Sequence, residues 1–431
     1  MNKIKNSTDS TLGARILERV ESLAEFSESP SQLTRQYLSE EHHQANGRVA
    51  AWMRDAGMKV RVDAVGNIIG RLEADDPDAP CLMLGSHLDT VRNAGRYDGT
   101  LGVVLPICCI DALRERGQKP SCHIEIIGFG DEEGVRFGQT LIGSRAVTGE
   151  LHTSVLSATD ETQTTMADAL RAFGLDPETI HEAARDPGEV TAYLEVHIEQ
   201  GPVLEAESLP VGVVTAIAGA SRFAVTVTGV AGHAGTVPMD LRRDALTAAA
   251  RMVSHIADSA RADDHIVATI GKFAVPDGAV NVIPGQVEFS LDVRSGDDDA
   301  RAGFLQQSLK RLREIAAEEA VAVQIEPLHD NNASQCDGQL SAQLTAAIEH
   351  QGVSVRQLPS GAGHDAMAIA AIAPTAMLFV RCKGGISHHP AESMTAADAQ
   401  VAGDVVMQFM LDFSPPVSTH ALQEAKRDVS I

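Results

Sequence analysis

The 431-residue sequence has few aromatic residues and far fewer basic than acidic residues. Aromatic side chains make up only 3% of it and apolar residues 44%, so its core must consist mainly of Ala, Val, Leu and Ile. The formal net charge of −24 disfavours nucleic acid or an anionic membrane as the main partner. A small anionic substrate stays compatible with this charge, because a few arginines can reverse the field inside a pocket.

Other features are missing altogether. The six cysteines form no C-x-x-C pair, which argues against a cysteine zinc site or a redox motif. The first residues, MNKIKNSTDS, contain no apolar stretch of the kind found in a signal peptide. No run approaches the roughly 18 consecutive apolar residues that a membrane span requires. We therefore expect a soluble, reduced, cytoplasmic protein without a membrane or nucleic acid partner.

Strand-like and helix-like segments alternate along most of the chain. The apolar runs CLML, IEIIGFG, AYLEVHI and TAMLFV, which begin at residues 81, 124, 192 and 375, are typical of strands buried on both faces. A helical stripe of apolar residues extends over 37–56 and stops before Gly57. This alternation predicts an α/β fold with a mixed, mostly parallel sheet flanked by helices.

The middle of the chain has a different pattern. VGVVTAIAG and RFAVTVTG are predicted to form a strand pair, and helices are predicted over 242–259 and 301–319, with strands at IVATIGKFAV, VEFSLDVRS and VAVQIEP. The order β-β-α-β-β-α-β indicates an inserted α+β domain. We expect catalytic parts at residues 1–214 and 331–415, the inserted domain at 215–330, and a loosely held tail at 416–431.

Acidic and imidazole side chains follow four of the predicted strands. They are His87, Asp89 and Asp98 after the first run, Asp131, Glu132 and Glu133 after the second, His197, Glu199 and Gln200 at the third, and His388 and His389 after the fourth. Singly, such a histidine is more often hydrogen-bonded, and DEEG is more often a solvated turn. Together, at the edge where α/β sheets bind ligands, they favour Zn²⁺ or Mn²⁺ bound without thiols. A pair of such ions would neutralise the carboxylates.

Seven motifs carry a family resemblance and cover nearly the whole chain. They are GSHLDT…YDGTLG, DEEGVRFG, LEVHIEQGPVLE, GHAGTVPMDLRRDAL, NVIPG…DVR, SGAGHDA and GISHHPAE. This set resembles the di-metal amidohydrolases of the aminoacylase/carboxypeptidase superfamily, in the branch that contains N-carbamoyl-L-amino-acid hydrolase, β-ureidopropionase and allantoate amidohydrolase. The resemblance implies a zinc-exopeptidase-like catalytic domain with an inserted ferredoxin-like dimerisation or lid domain.

The resemblance also implies two divalent metal ions per subunit, Zn²⁺ or Mn²⁺, with Co²⁺ and Ni²⁺ as alternatives. The implied ligands, of which Asp98 bridges the two ions, are His87, Asp98, Glu133, His197 and His388. His389 competes for the last position, although the family pattern His-x-Pro favours His388. Glu132 is implied as the general base, with helix capping as its alternative role. Asp89 is implied as the carboxylate that orients the liganding imidazole.

For the substrate, the resemblance implies a small anionic ureide. The implied binding residues, among which His233 also stabilises an oxyanion, are Gln200, Arg222, His233, Asn281, Arg294, Gly361, Gly363 and His364. An isolated arginine is more often a surface ion-pair partner than a substrate-binding residue. The motif match favours substrate binding for Arg294, whereas for Arg222 both roles stay open. Amides of SGAGHDA are candidates to meet the substrate carboxylate, whereas His364 is either a hydrogen-bond partner or a turn residue.

The leading functional hypothesis is a hydrolase of a linear ureide C–N bond, with allantoate as the favoured substrate, which would place the chain in purine catabolism. N-carbamoyl-L-amino acids and 3-ureidopropionate are the alternatives. More distant ones are a metallopeptidase and an inactive binding subunit, and the latter conflicts with the intact set of ligands and base. Finally, the resemblance implies a homodimer in which His233 completes the partner's active site.

Overall fold

The computed structural model describes residues 10–186 and 188–417, so the predicted tail lies almost entirely outside the described residues. The α-helices are α1 Leu12–Leu23, α2 Glu40–Asp55, α3 Thr100–Glu115, α4 Ile142–Val147, α5 Met166–Phe173, α6 Val203–Ala206, α7 Ala245–Arg261, α8 Asp298–Glu318, α9 Gly338–His350, α10 Ala366–Ile369 and α11 Ala396–Asp412. Among the described residues, no helix combines the length and apolar character needed to cross a membrane.

The strands alternate with these helices along the chain. They are β1 Lys59–Val62, β2 Ile68–Leu72, β3 Cys81–His87, β4 His123–Phe129, β5 Ala192–Ile198, β6 Val211–Ile217, β7 Gly219–Thr228, β8 Gly232–His233, β9 Val267–Thr269, β10 Phe273–Ala274, β11 Val282–Ile283, β12 Gln286–Ser295, β13 Ala322–Asn331, β14 Ser334–Gln335, β15 Gln357–Ser360 and β16 Thr375–Val380.

The chain divides into two compact units. The first comprises Met1–Thr215, Cys336–Leu358 and Gly363–Ile431, and the second comprises Ala216–Gln335 and Pro359–Ala362. The sequence predicts an inserted domain at 215–330, without the separate segment Pro359–Ala362. A role of the second unit as a dimerisation or lid domain stays a prediction.

The sheet of the first unit has the strand order β1-β2-β4-β3-β5-β16-β6, with β15 against β6. Its central strands, β4, β3, β5 and β16, are parallel and completely buried, whereas β1, β2 and β6 join antiparallel outside them. One hydrophobic cluster connects the sheet to α1, α3, α9 and α11. The predicted mixed α/β sheet with flanking helices is therefore confirmed, and its parallel strands form the centre.

The second unit is built on an antiparallel sheet with the order β10-β12-β7-β13, in which β9 also pairs with β12. Helices α7 and α8 share a core with alternate residues of β12, such as Val287 and Leu291. The side chains of β12 that alternate with these core residues point away from the core, and among them Asp292 and Arg294 are half-buried. A separate short ribbon pairs β8 with β11, which places His233 opposite Val282.

Two local predictions are wrong. VGVVTAIAG and RFAVTVTG form β6 and β7, but these strands belong to different sheets: β6 pairs with β16, while β7 pairs with β12 and β13. The burial of β6 on both faces suits a large sheet covered on both sides, whereas β7 is partly exposed. IVATIGKFAV forms two short strands, β9 and β10, because the run is interrupted around Gly271.

Candidate active site

The parallel centre of the first sheet gathers the predicted metal ligands. His87 is the last residue of β3 and pairs with Phe129, the last residue of β4. His197 lies near the end of β5, where it pairs with Phe379 of β16. Because the carboxyl ends of parallel strands meet at one edge, the loops that follow them converge there as well. These loops carry the carboxylates after β4 and His388 after β16.

Three imidazoles converge on the carboxylate of Asp98. The Nε2 atoms of His87 and His197 lie 3.4 and 3.1 Å from Asp98 Oδ1, and His388 Nε2 lies 3.2 Å from Oδ2. His388 Nε2 also lies 3.4 Å from Glu133 Oε1. Ligand atoms within 4.8 Å of one another form two groups that share Asp98, namely His87 with Asp98 and His197, and Asp98 with Glu133 and His388. The five predicted ligands are thus brought together.

The donor set fits divalent cations. Carboxylate and imidazole ligands without thiols suit Zn²⁺ and Mn²⁺. Asp89, Asp98, Glu132 and Glu133 are all largely buried, and among the described residues their ion-pair contacts are only with histidines, not with Lys or Arg. Buried charge of this kind needs compensation, and a cation bound between these groups would provide it.

The protonation equilibria reflect this concentration of acids. Burial opposes the ionised form of Asp98, but hydrogen bonds from the three imidazoles outweigh it and hold the pKa of Asp98 well below its usual value. Burial raises the pKa of Glu132 well above the ordinary range, against the opposing charge of His87. Burial and the charge of Asp98 raise the pKa of Glu133 to about 7. The hydrogen bond to Asp98 raises the pKa of His388 to about 8.

Asp89 connects the loops that follow β3 and β4. Its carboxylate accepts hydrogen bonds from the backbone N–H groups of Glu132 at 3.1 Å and Glu133 at 3.2 Å. Its backbone carbonyl lies 3.0 Å from His87 Nδ1, and its carboxylate lies 3.6 Å from the same nitrogen. Glu132 Oε2 lies 4.0 Å from His87 Nε2, so the predicted base lies beside the ligand group. Asp89 can therefore orient the imidazole and both glutamates.

Asp98 is held by Gln200, which follows β5, and by two residues after β16 that were not predicted from the sequence. Ser387 Oγ donates to Asp98 Oδ2 at 2.7 Å, and Gln200 Nε2 donates to the same oxygen at 2.9 Å. Glu392 accepts hydrogen bonds from the backbone N–H groups of Tyr97 and Asp98. Ser387 and Glu392 both lie in the motif GISHHPAE, in which the sequence predicted a role only for the two histidines. Gln200, predicted to bind substrate, lies against the ligand set itself.

Gly99 is required by its close approach to an imidazole. Its φ angle is 60°, and a Cβ atom placed on it would lie 2.4 Å from the His87 ring. Any side chain here would displace the ring or the backbone next to Asp98. The glycine therefore belongs to the construction of the site, although it supplies no ligand.

Both predicted substrate-binding arginines of the second unit contact one carboxylate. Arg222 Nε lies 2.9 Å from Asp292 Oδ2, and Arg294 uses Nε and Nη2 to bind both carboxylate oxygens. Arg294 Nη1 donates to the carbonyl of Gly361 at 2.7 Å. These four residues line a cavity of about 630 Å³ in the second unit. Asp292, which the sequence did not single out, therefore fixes both guanidinium groups.

The remaining predicted residues fall into two places. In the second unit, the β8–β11 ribbon brings His233 and Asn281 together, and both are exposed. The carbonyl of Asn281 accepts a hydrogen bond from the Ala234 N–H at 3.0 Å. In the first unit, His364 is 1% exposed, and its ring centroid lies 4.5 Å from that of His197. A Cβ placed on Gly363 would lie 3.9 Å from Glu132 Oε1. Their roles in substrate binding stay predictions.

Comparison with known proteins identifies the family. Residues 83–412 match the model of peptidase family M20/M25/M40. The chain is 41% identical over 395 residues to the N-carbamoyl-L-amino acid amidohydrolase of Geobacillus stearothermophilus, covering 91% of this chain and 97% of that one. It is 38% identical over 423 residues to the allantoate deiminase of Arabidopsis thaliana, covering 91% of this chain and 81% of that one.

A solved structure agrees with these sequence matches. An amidase of the hydantoinase/carbamoylase family from Burkholderia multivorans superposes with a TM-score of 0.86 at 31% identity, covering 93% of this chain and 97% of that one. Fold, strand-end site and relatives lead to the same conclusion. The chain belongs to peptidase family M20/M25/M40 and is an amidohydrolase, a hydrolase that acts on C–N bonds.

Proposed function

We propose that the chain hydrolyses a C–N bond of a linear ureide that carries a carboxylate, at a centre holding a pair of divalent cations. The observation that supports this most is the convergence of His87, His197 and His388 on Asp98. Divalent cations in such a centre polarise a scissile carbonyl and make water more acidic. The carboxylate and imidazole donors suit Zn²⁺ and Mn²⁺, and they are also compatible with Co²⁺ or Ni²⁺.

In this proposal the protein side chains move the proton and orient the substrate. Glu132 takes a proton from water and passes it to the leaving nitrogen, as a general base and then a general acid. Asp89 keeps Glu132 in place through its backbone N–H and fixes the orientation of His87. Arg222 and Arg294, held by Asp292, bind the substrate carboxylate. Gln200, Asn281 and His233 bind the ureido group, and His233 stabilises the oxyanion.

Allantoate is the proposed substrate, since the motifs around Asp98 and Glu132 resemble bacterial members assigned to it, and a relative at 38% identity is named allantoate deiminase. N-carbamoyl-L-amino acids are the second candidate, supported by the relative at 41% identity. Ammonia release from allantoate, several N-carbamoyl-L-amino acids and 3-ureidopropionate, compared by kcat/KM, separates these candidates. Turnover of dipeptides without turnover of any ureide would instead support a peptidase.

We further propose a homodimer in which His233 acts in the partner's active site. Large apolar side chains are exposed close to His233 and Asn281, as expected of a surface that meets another protein. They are Val230 (55%), Met239 (76%), Leu241 (69%) and Val280 (106%).

Mixing two inactive variants, H233A and E132A, tests the shared site after the chains are dissociated and reassociated. In a mixed dimer, one site would carry both lesions and the other none. Random pairing makes half of the dimers mixed, so about a quarter of the wild-type activity should return. No recovery, with subunit exchange confirmed by mass spectrometry, would mean that His233 acts within its own chain.

A further inference from the structure

Arg35 is a completely buried cation near the candidate active site that belongs to none of the motifs discussed above. It lies in the loop before α2, and its side chain is 0% exposed. Among the described residues, no carboxylate forms an ion pair with it. Burying a charge without a contacting partner is unfavourable, and the nearby negative charge of Asp89 offsets only part of this cost, so Arg35 depends on its hydrogen bonds. They all go to carbonyl or hydroxyl oxygens, and their positions indicate what Arg35 does.

The first group of contacts holds the loop that follows β3. The Nε atom of Arg35 donates to the carbonyl of Leu88 at 2.7 Å. Its backbone N–H donates to Thr90 Oγ1 at 2.9 Å, and its backbone carbonyl accepts from the Thr90 N–H at 2.9 Å. Arg35 thus holds the chain on both sides of Asp89, directly after His87.

The second group of contacts reaches two helix ends. Nη1 donates to the carbonyls of Leu23 and Phe26, at 2.8 and 3.2 Å, where α1 ends. Nη2 donates to Thr100 Oγ1 at 3.2 Å, at the first residue of α3 and two residues after Asp98. One guanidinium group therefore connects the end of α1, the loop after His87 and the start of α3, with a fixed fork that lysine does not have.

The connection continues to the proposed base, Glu132, and the proposed ligand, Glu133, because the Asp89 carboxylate accepts the N–H groups of both residues. We propose that Arg35 is a positioning residue that fixes the 88–90 backbone and, through Asp89, the backbone of Glu132 and Glu133. The roles of these glutamates rest on the proposed function, whereas the hydrogen bonds of Arg35 do not. Arg35 itself touches neither ligand atoms nor substrate, so its effect is transmitted through the backbone.

The test compares R35Q and R35K with matched variants of a second buried arginine. Arg301 is 4% exposed, donates to the carbonyl of Asn331 and pairs with Asp298, all within the second unit. R301Q and R301K therefore control for the loss of a buried guanidinium group. T90V is a milder change that leaves the guanidinium group in place, since it removes the hydroxyl that accepts the Arg35 N–H and donates to the Val91 carbonyl. Each full-length variant is compared by amide hydrogen exchange, metal affinity in chelator competition, and kcat and KM.

We expect R35Q to accelerate exchange at 88–91 and 131–134 by about tenfold or more, with and without chelator, whereas R301Q does not. Its metal affinity should fall by roughly 10–100-fold, and kcat should fall while KM of the metal-saturated enzyme changes less than about twofold. R35K and T90V should give smaller changes at the same amides.

Equal exchange at these segments and equal metal affinity in the Arg35 and Arg301 variants would overturn the proposal. If R35Q does not fold, R35K and T90V decide by the same criteria. A wild-type chain without ureide hydrolysis would reject the proposed function, but the exchange measurement would still decide the role of Arg35.

Discussion

The two units hold their candidate functional groups in opposite ways. In the first unit, Asp98 and His197 are at most 6% exposed, and each contacts other members of the ligand set. In the second unit, the side chains of Arg222 and Arg294 are 46% and 34% exposed, and a single carboxylate, Asp292, holds both. A ligand set with many mutual contacts, of which His388 alone has a half-exposed side chain, is held more rigidly than an exposed pair fixed mainly by one carboxylate, which can adapt to a ligand. We therefore expect the first unit to control metal binding and kcat, and the second to control KM.

The largest expected effect lies in the first unit. E132Q should keep the fold and the metal but lower kcat by roughly 10²–10⁴-fold, because an amide cannot take up the proton. E199Q is the matched control: Glu199 is also buried and follows β5, but it accepts the N–H groups of Val203 and Leu204 instead of joining the ligand groups. Steady-state kinetics with metal analysis measures both. Wild-type turnover in E132Q would exclude Glu132 as the base.

The adjacent glutamate should give a different result. E133Q should lower metal content from about two ions per chain toward about one, since Glu133 belongs to the group of Asp98 and His388, and also lies with Glu132 beside His87, but is absent from the group of His87, Asp98 and His197. Elemental analysis of protein purified without chelator measures this, and E132Q provides the comparison. If the two variants retain equal amounts of metal, the assignment of Glu132 as the base and Glu133 as a metal ligand is wrong.

In the second unit, R294K should raise KM by about tenfold or more with kcat changed less than about twofold, because an ammonium group cannot reproduce the fork that binds Asp292 and Gly361. R251K is the control, since Arg251 is an ion-paired arginine of α7 that contacts Glu318 and Glu319. A fall in kcat at constant KM in R294K would contradict the expectation that the second unit controls KM and the first unit kcat.

The smallest effect concerns stability in acid. Burial and the charge of Arg35 lower the pKa of His42 to about 3, so the native state keeps this imidazole neutral while the unfolded chain protonates it below about 6.5. The stability that His42 contributes is therefore present above pH 6.5 and is lost as the pH falls toward 3. Between pH 7 and 5, protonation of His42 in the unfolded chain should lower the free energy of unfolding by about 2 kcal/mol.

Urea denaturation at both pH values checks this prediction. H42Q should show a smaller difference in unfolding free energy between pH 7 and 5 than the wild type. H350Q should leave that difference unchanged, because His350 is exposed at the end of α9. An equal pH dependence in all three proteins would show that other groups cause the loss.

The sequence predicts best where local pattern and burial agree. AYLEVHI and TAMLFV coincide with β5 and β16, because completely buried strands are mainly apolar; in β5 only Glu195 and His197 interrupt the apolar residues. The resemblance to the di-metal amidohydrolases, rather than the strand pattern alone, singled out the five candidate ligands, which lie at or after the ends of such strands. By contrast, Arg35 and Glu392 act mainly through partners far away in the sequence, and Asp292 connects its neighbour Arg294 to the distant Arg222, so no local pattern distinguishes these three residues from surface charges. The separation of β6 from β7 likewise depends on tertiary pairing, which adjacency in sequence does not reveal.

The strand order also has a consequence for how the chain reaches its native state. β5 and β16 are neighbours in the central sheet, yet the whole second unit lies between them in the sequence. Pairing of such distant segments requires the closure of a long loop, which slows folding. On the ribosome, His197 and Asp98 emerge long before β16 and His388. A nascent chain therefore holds only part of the proposed ligand set until β16 and His388 have been synthesised, so a metal site that needs His388 would be completed only after the whole second unit has emerged.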